Sequence, residues 1–214
     1  MSKYSPYIFP GNDTKKTITI SRGNNKLGGI PNTSFPVIDS CPAGILCTKG
    51  CYAYMYSRMY TNSLKAYQKN YQIYCADPDL YFNQLKHFLC IYSPKRFRYM
   101  VSGDIPTLDY LYRMNKVALD YPKTIFTVYS KQYGFLSNKQ FMKERAVNLN
   151  VFASAWPNMK LPKVIRNYYR IAWMQDGKED RIPQKVIVCR GSCSECSICY
   201  NLKITKDIVF YKHK

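Results

Sequence analysis

The chain has 214 residues, 46% of them hydrophobic, which is enough for one core and excludes a small fold that depends on disulfides. Its 32 Lys and Arg against 13 Asp and Glu give a net charge of +19. A positive field of that size attracts polyanions, nucleic acid among them, although AT-rich coding alone yields the same abundance of Lys, Asn, Ile and Tyr.

The amino-terminal run MSKYSPYIFPGNDTKK is polar and broken by prolines, so it does not read as a secretory signal. No apolar run approaches the ~20 residues that a membrane-spanning helix needs. A cytoplasmic location without membrane contact is expected, where thiols stay reduced and clustered cysteines bind metal more often than they pair.

In chain order, residues 17–21 (TITIS) alternate like a strand. Residues 21–29 (SRGNNKLGG) form a basic, glycine-rich loop, either a plain turn or an anion cradle. It is not a Walker A loop, since no G-K-[ST] follows. Residues 35–39 (FPVID) read as a strand delivering Cys41. From Cys51 to Cys75 the pattern is helical, with Tyr60, Leu64, Tyr67, Tyr71 and Tyr74 on one face. That stripe reads as core, and Cys75 and Cys90 as buried small apolar residues. Asp77-Pro78 opens a second helix to about Tyr92.

Strands follow at 97–101, 124–129, 149–153, 170–174 and 185–188, with helices at 107–120 and 161–168. A short helix opens with a capping box from Ser137 to Gln140. Strands alternating with helices predict an α/β fold, an incomplete (β/α) barrel of about six mostly parallel strands. A single domain over 1–214 is expected. Residues 17–188 would form its α/β core, with the first cysteine loop, and 189–214 a cysteine-rich closing segment. Polar and thiol residues recur just after strand ends, at Cys41, Asp104, Lys131, Ser154 and Cys189. Sites assemble at that edge in parallel α/β folds.

Seven of the nine cysteines fall in two groups: Cys41, Cys47 and Cys51, then Cys189, Cys193, Cys196 and Cys199. Thiolates are soft ligands that suit zinc and iron–sulfur clusters. The second group, C-x3-C-x2-C-x2-C, packs four thiols more densely than the paired spacing of structural zinc, and resembles ferredoxin-type [4Fe–4S] wrapping with its order roughly reversed. Zinc is the alternative. The first group, C-x5-C-x3-C, supplies three ligands and so leaves one metal position open. Its spacing is longer than the C-x3-C-x2-C of radical-SAM enzymes, and Gly50 stands where they carry an aromatic residue. A mixed site, with one of the three joining the later four, is also compatible. One or two clusters are therefore expected. With only His87 and His213 present, a histidine-rich zinc site is not supported.

Ser102-Gly103-Asp104-Ile105-Pro106 follows a predicted strand and resembles the glycine-rich acidic turn that holds S-adenosylmethionine in radical-SAM enzymes. It reads equally as a helix-capping loop. No side chain is assigned a catalytic step.

Taken in order, SRGNNKLG, CPAGILCTKGCYA, RYMVSGD and CRGSCSECSIC resemble the phage gene product 88 family, from about Thr17 to Tyr200. The family's proteins occur in phages and mobile elements, and it is distantly similar to radical-SAM-like barrels. The resemblance implies both cysteine groups as ligand sets and Asp104 as the strand-end acid, and no substrate. Two functions follow as expectations. One is an iron–sulfur enzyme of radical-SAM type, with an electron donor and a nucleic acid or nucleotide substrate. Here Ser102, Gly103 and Asp104 would bind S-adenosylmethionine, and Cys189 to Cys199 an auxiliary cluster. The other is a non-catalytic metal-cluster protein that binds nucleic acid in replication or regulation of a mobile element.

Overall fold

A computed structural model describes residues 7, 16–42, 47 and 50–211, apart from the side chains at 57 and 58. The amino-terminal run apart from Tyr7 and Lys16, residues 43–46 and 48–49 of the first cysteine loop, and His213 lie outside the described residues. The chain forms strands β1 (Asn32–Thr33), β2 (Arg96–Tyr99), β3 (Ile125–Ser130), β4 (Leu149–Ala155), β5 (Arg170–Gln175), β6 (Ile187–Val188) and β7 (Ile208–Tyr211). The helices are α1 (Tyr52–Met59), α2 (Thr61–Ala76), α3 (Pro78–Tyr92), α4 (Leu108–Asp120), α5 (Tyr133–Leu136), α6 (Lys139–Glu144) and α7 (Lys163–Tyr168). The strands build one open sheet in the order β1-β2-β3-β4-β5-β7-β6, and every pair is parallel. The expected α/β class with an unclosed parallel sheet is what forms, with seven strands in place of about six.

Alternation along the strands sorts the sheet into two unlike faces. Phe97, Tyr99, Phe126, Val128, Leu149, Val151, Ile171, Trp173 and Val209 join the main core with the buried side of α2 to α7, including Leu85, Phe88, Met114 and Phe141. Aromatic rings fill much of it: Phe35 lies 5.4–5.6 Å from Tyr74, Tyr81 and Tyr110. Tyr81 and Tyr110 share a hydroxyl–hydroxyl bond of 3.1 Å, and burial pushes the Tyr81 phenol up to about 12. The opposite face carries Arg98, Thr127, Tyr129, Asn150, Phe152, Arg170 and Ala172. The cysteine-rich segment covers it, packing Cys189, Ile198 and Cys199 around Phe152, Ala172 and Ile208.

Caps fix the helix starts that bear on the site. Asp77 accepts from Leu80 N at 2.8 Å, with Pro78 in the first turn, as the sequence predicts. Thr107 accepts from Tyr110 N at 3.0 Å and bonds Tyr74 Oη at 2.6 Å. For α6 the cap is Asn138, whose side chain accepts from Phe141 N, in place of the expected box from Ser137.

Four other expectations are corrected. Residues 17–21 pair with the sheet only through a bridge from Ser21 to Asn32. Ile18 and Ile20 are buried, but the N–H groups of Ile18 and Thr19 go to Gln84 Oε1 and Asn70 Oδ1 (2.7 and 2.6 Å), side chains that replace a partner strand. Residues 37–39 are a turn with Ile38 at φ 77°, so Cys41 is delivered by a turn after β1. The long helix expected from Cys51 breaks at Tyr60, which ends α1 and opens α2 at φ −114°, ψ 82°. Its tyrosine stripe divides accordingly: Tyr74 is buried, Tyr67 and Tyr71 are half-buried, and Tyr60 is exposed. Cys75 and Cys90 are exposed, on the solvent sides of α2 and α3.

Candidate metal centre

The three cysteines of the first group, all free thiols, line one cavity of about 190 Å³ with Asp104, Lys131 and Ser154. Four of the five strand-end residues singled out by sequence, Cys41, Asp104, Lys131 and Ser154, thus meet at the carboxyl edge of the parallel sheet. The fifth, Cys189, follows β6 and belongs to the second group. Trp156 and Met100 close the cavity with apolar surface. Trp156 packs on Gly50, where a Cβ would lie 3.3 Å from the indole, so the small residue before Cys51 gives the ring its place. The Lys131 ammonium stands 5.9 Å from the Trp156 ring centre.

Burial pushes the Cys41 thiol up to about 11, reinforced by Asp104 and opposed by Lys131. Burial also raises the Cys47 thiol, again against Lys131. Without a bound cation these thiols stay protonated at neutral pH, and ligation would release their protons.

Ser102, Gly103 and Asp104 turn the chain from β2 into this wall. Gly103 has φ +77°, and a Cβ there would strike Ser40 Oγ and lie 2.8 Å from the Phe35 carbonyl oxygen. The buried Asp104 carboxylate accepts from Ser130 Oγ (2.6 Å), Lys131 N (2.8 Å) and Ile105 N (2.7 Å). It therefore clasps the end of β2 to the end of β3 beneath the thiols. Burial raises its pKa, opposed by the Lys131 charge and these donors. Ser102 Oγ is buried in the same wall without a partner among the described residues.

The second group lies on the polar face of the sheet. Cys199 is held three ways: its carbonyl accepts from Thr127 Oγ1 (3.1 Å) and Asn150 Nδ2 (2.7 Å), and its sulfur from Tyr129 Oη (2.8 Å). Cys193 N donates to the Lys26 carbonyl at 2.6 Å, and Cys189 N to Val209 at 2.9 Å. Cys193 and Cys199 are raised by burial, and each feels Cys189 electrostatically. All four are free thiols.

Arg98 stands between the two groups. It lines the first cavity, lies 4.1 Å above the Tyr129 ring and lowers the pKa of both Cys193 and Cys199. Burial opposes its own charge, and Tyr129, Tyr200, Tyr52 and Cys199 together outweigh that, so its pKa is raised. Arg170 feels the Cys199 charge, and among the described residues its Nη2 is buried without a partner, as is Tyr200 Oη beside Cys193 and Cys199. An anionic tetrathiolate centre fits this setting: soft donors, half-buried cations and unpaired donors. Among the described residues no three of these side chains are already gathered at metal-binding distance, so the thiols must turn toward one another to ligate.

Arg98, Arg170 and Ser102's bare hydroxyl acquire these roles only in three dimensions. The available signal was alternation: polar side chains at 98, 127, 150 and 170 interrupt otherwise buried strands and all fall on one face.

No curated protein and no solved structure matches the chain. The family model described as gene product 88 matches residues 10–196, most of the length and both cysteine groups except Cys199, so the chain belongs to the gene product 88 family.

Proposed function

We propose that this is an iron–sulfur protein of a phage or mobile element, working in the reducing cytoplasm of the host cell. Cys41, Cys47 and Cys51 would hold a [4Fe–4S] cluster with one open iron, and Cys189, Cys193, Cys196 and Cys199 a second, closed cluster. The observation that carries the reading is the convergence of three free thiols with Asp104 and Lys131 on one cavity at the carboxyl edge of a parallel sheet. Three thiolates would leave one metal position open, which suits a radical-SAM-like enzyme. One-electron reductive cleavage of S-adenosylmethionine is the chemistry such a bound centre supplies.

The chain's own residues prepare the site. Asp104 fixes the two loops that carry Ser102 and Lys131, Lys131 offsets thiolate charge, and Trp156 and Met100 line the cavity with apolar surface. Ser102 Oγ, unpartnered among the described residues, and the neighbouring Gly103 backbone would meet the cofactor's polar end. A nucleic acid or nucleotide is the substrate class that the +19 charge favours.

Anaerobic purification with iron, sulfide and zinc counted per chain is the test, followed by reduction with S-adenosylmethionine present. Iron with matching sulfide, and cofactor cleavage lost in the Cys41/Cys47/Cys51→Ser variant, is the expected result. Zinc without iron after anaerobic, iron-supplied expression, or cleavage unchanged in that variant, would sink it. A second reading keeps the metal without the reaction. It draws on Cys199, which is fixed against β3 and β4 as in a structural centre, and predicts nucleic-acid binding with no cofactor cleavage.

A further inference from the structure

A groove of about 450 Å³ runs beside the cysteine cavity and shares Tyr52, Ala53, Val101 and Ser102 with it. One wall is α1, which starts directly after Cys51 and turns its aromatic side outward. Tyr52, Tyr56 and Tyr60 are 41%, 50% and 56% exposed. The Tyr56 and Tyr60 rings lie 5.9 Å apart and within 9° of parallel. The other wall is the basic loop of Asn24, Asn25 and Lys26. That loop is fixed, not loose: Asn24 Oδ1 accepts from Leu27 N at 3.0 Å, and Lys26 O from Cys193 N at 2.6 Å. Gly28, at φ +62°, abuts Ser194 so closely that a Cβ would lie 2.5 Å away.

We infer that this groove binds single-stranded nucleic acid, with bases stacked on Tyr56 and Tyr60 and the phosphate chain along Asn24 and Lys26. Parallel exposed rings beside a basic, amide-bearing loop are the two parts such a site needs: a stacking platform and a backbone track. Duplex fits badly, because its bases are already stacked and its backbone is too wide for a groove one helix across. The shared wall means a base at the Tyr52 end sits at the mouth of the cysteine cavity. This deepens the iron–sulfur reading by locating its substrate, and rests on that reading only for what happens after binding.

The test is fluorescence anisotropy of labelled single-stranded DNA and RNA oligonucleotides, the matching duplex and a mononucleotide, titrated with the anaerobically purified full chain. Iron is counted on the same preparation. Single strands should bind in preference to duplex, and Tyr56→Ala with Tyr60→Ala should weaken binding by about tenfold or more, as loss of base stacking does. The Tyr56→Phe, Tyr60→Phe pair keeps the rings and should restore binding, which separates stacking from a folding defect. Crosslinks from a 5-iodouracil oligonucleotide should map to residues 52–67. Equal affinity for duplex, crosslinks elsewhere, or unchanged binding in the alanine pair would overturn the groove. Oligonucleotide binding through Tyr56 and Tyr60 without iron supports the groove while removing the cluster. Iron-loaded protein that ignores oligonucleotides does the reverse.

Discussion

The Asp104 carboxylate receives three hydrogen bonds and sends none outward, so its first effect is mechanical. Removing it in Asp104→Ala strands three donors, two of them buried and one half-buried, and each such loss costs about 1–3 kcal/mol. A stability loss of at least ~3 kcal/mol in urea titration is the expected outcome. The pH dependence has a definite sign. Burial raises the folded-state pKa, so the folded protein binds this proton more tightly than the unfolded chain does. The resulting stability is fully present below the unfolded-state value and is lost as pH rises through the folded-state value. Relative to Asp104→Asn, which does not titrate, the natural protein should therefore lose stability as pH rises across that window, read as a shift in urea midpoints. Sequence spacing picked out the thiols and this acid because both are written as local motifs. It did not reveal that Lys131 opposes burial at Cys41 or that Arg98 faces the second thiol group, since neither neighbour is close in sequence.

At the level of elements, β2 to β5 were legible because each places apolar residues at alternating positions in a short run closed by a polar turn. The capped starts of α3 and α4 could be read in the same way. What misled was burial without pairing: Ile18 and Ile20 alternate as a strand does, yet two amide side chains take the neighbouring N–H groups. β7 went unseen because IVFY is four residues long and follows the cysteine run, which drew it into the expected closing segment. Its place is inside the sheet, between β5 and β6. Asp207 secures that place by accepting from Ile171 N at 2.8 Å and Trp173 Nε1 at 2.9 Å. Asp207→Ala leaves both donors short of a partner, so a loss of about 2–5 kcal/mol is expected, with the Trp173 fluorescence transition moving to lower urea.

For the molecule as a whole, two separated cysteine groups are joined through one polar sheet face, and among the described residues no helix is long and apolar enough to cross a membrane. If the thiols ligate metal, the folded state is stabilised by binding that the unfolded chain lacks. Removal of metal with a chelator should lower the melting temperature, by about 2–4 °C for each ~1 kcal/mol lost in a chain of this size. Cys199→Ser should lower it before any chelator is added. Chelator without effect on a metal-containing preparation would place the metal outside the fold. The position of β7 also matters for how the chain is made. Translation releases β5 with one side unpaired, and its neighbour arrives only after the four later cysteines have been synthesised. Until then the nascent sheet offers a bare edge of the kind that recruits other strands. Chaperone occupancy therefore bears on this step, and if the later cysteines hold a cluster the supply of iron bears on it too; overexpression that outpaces either should yield aggregates nucleated at β5.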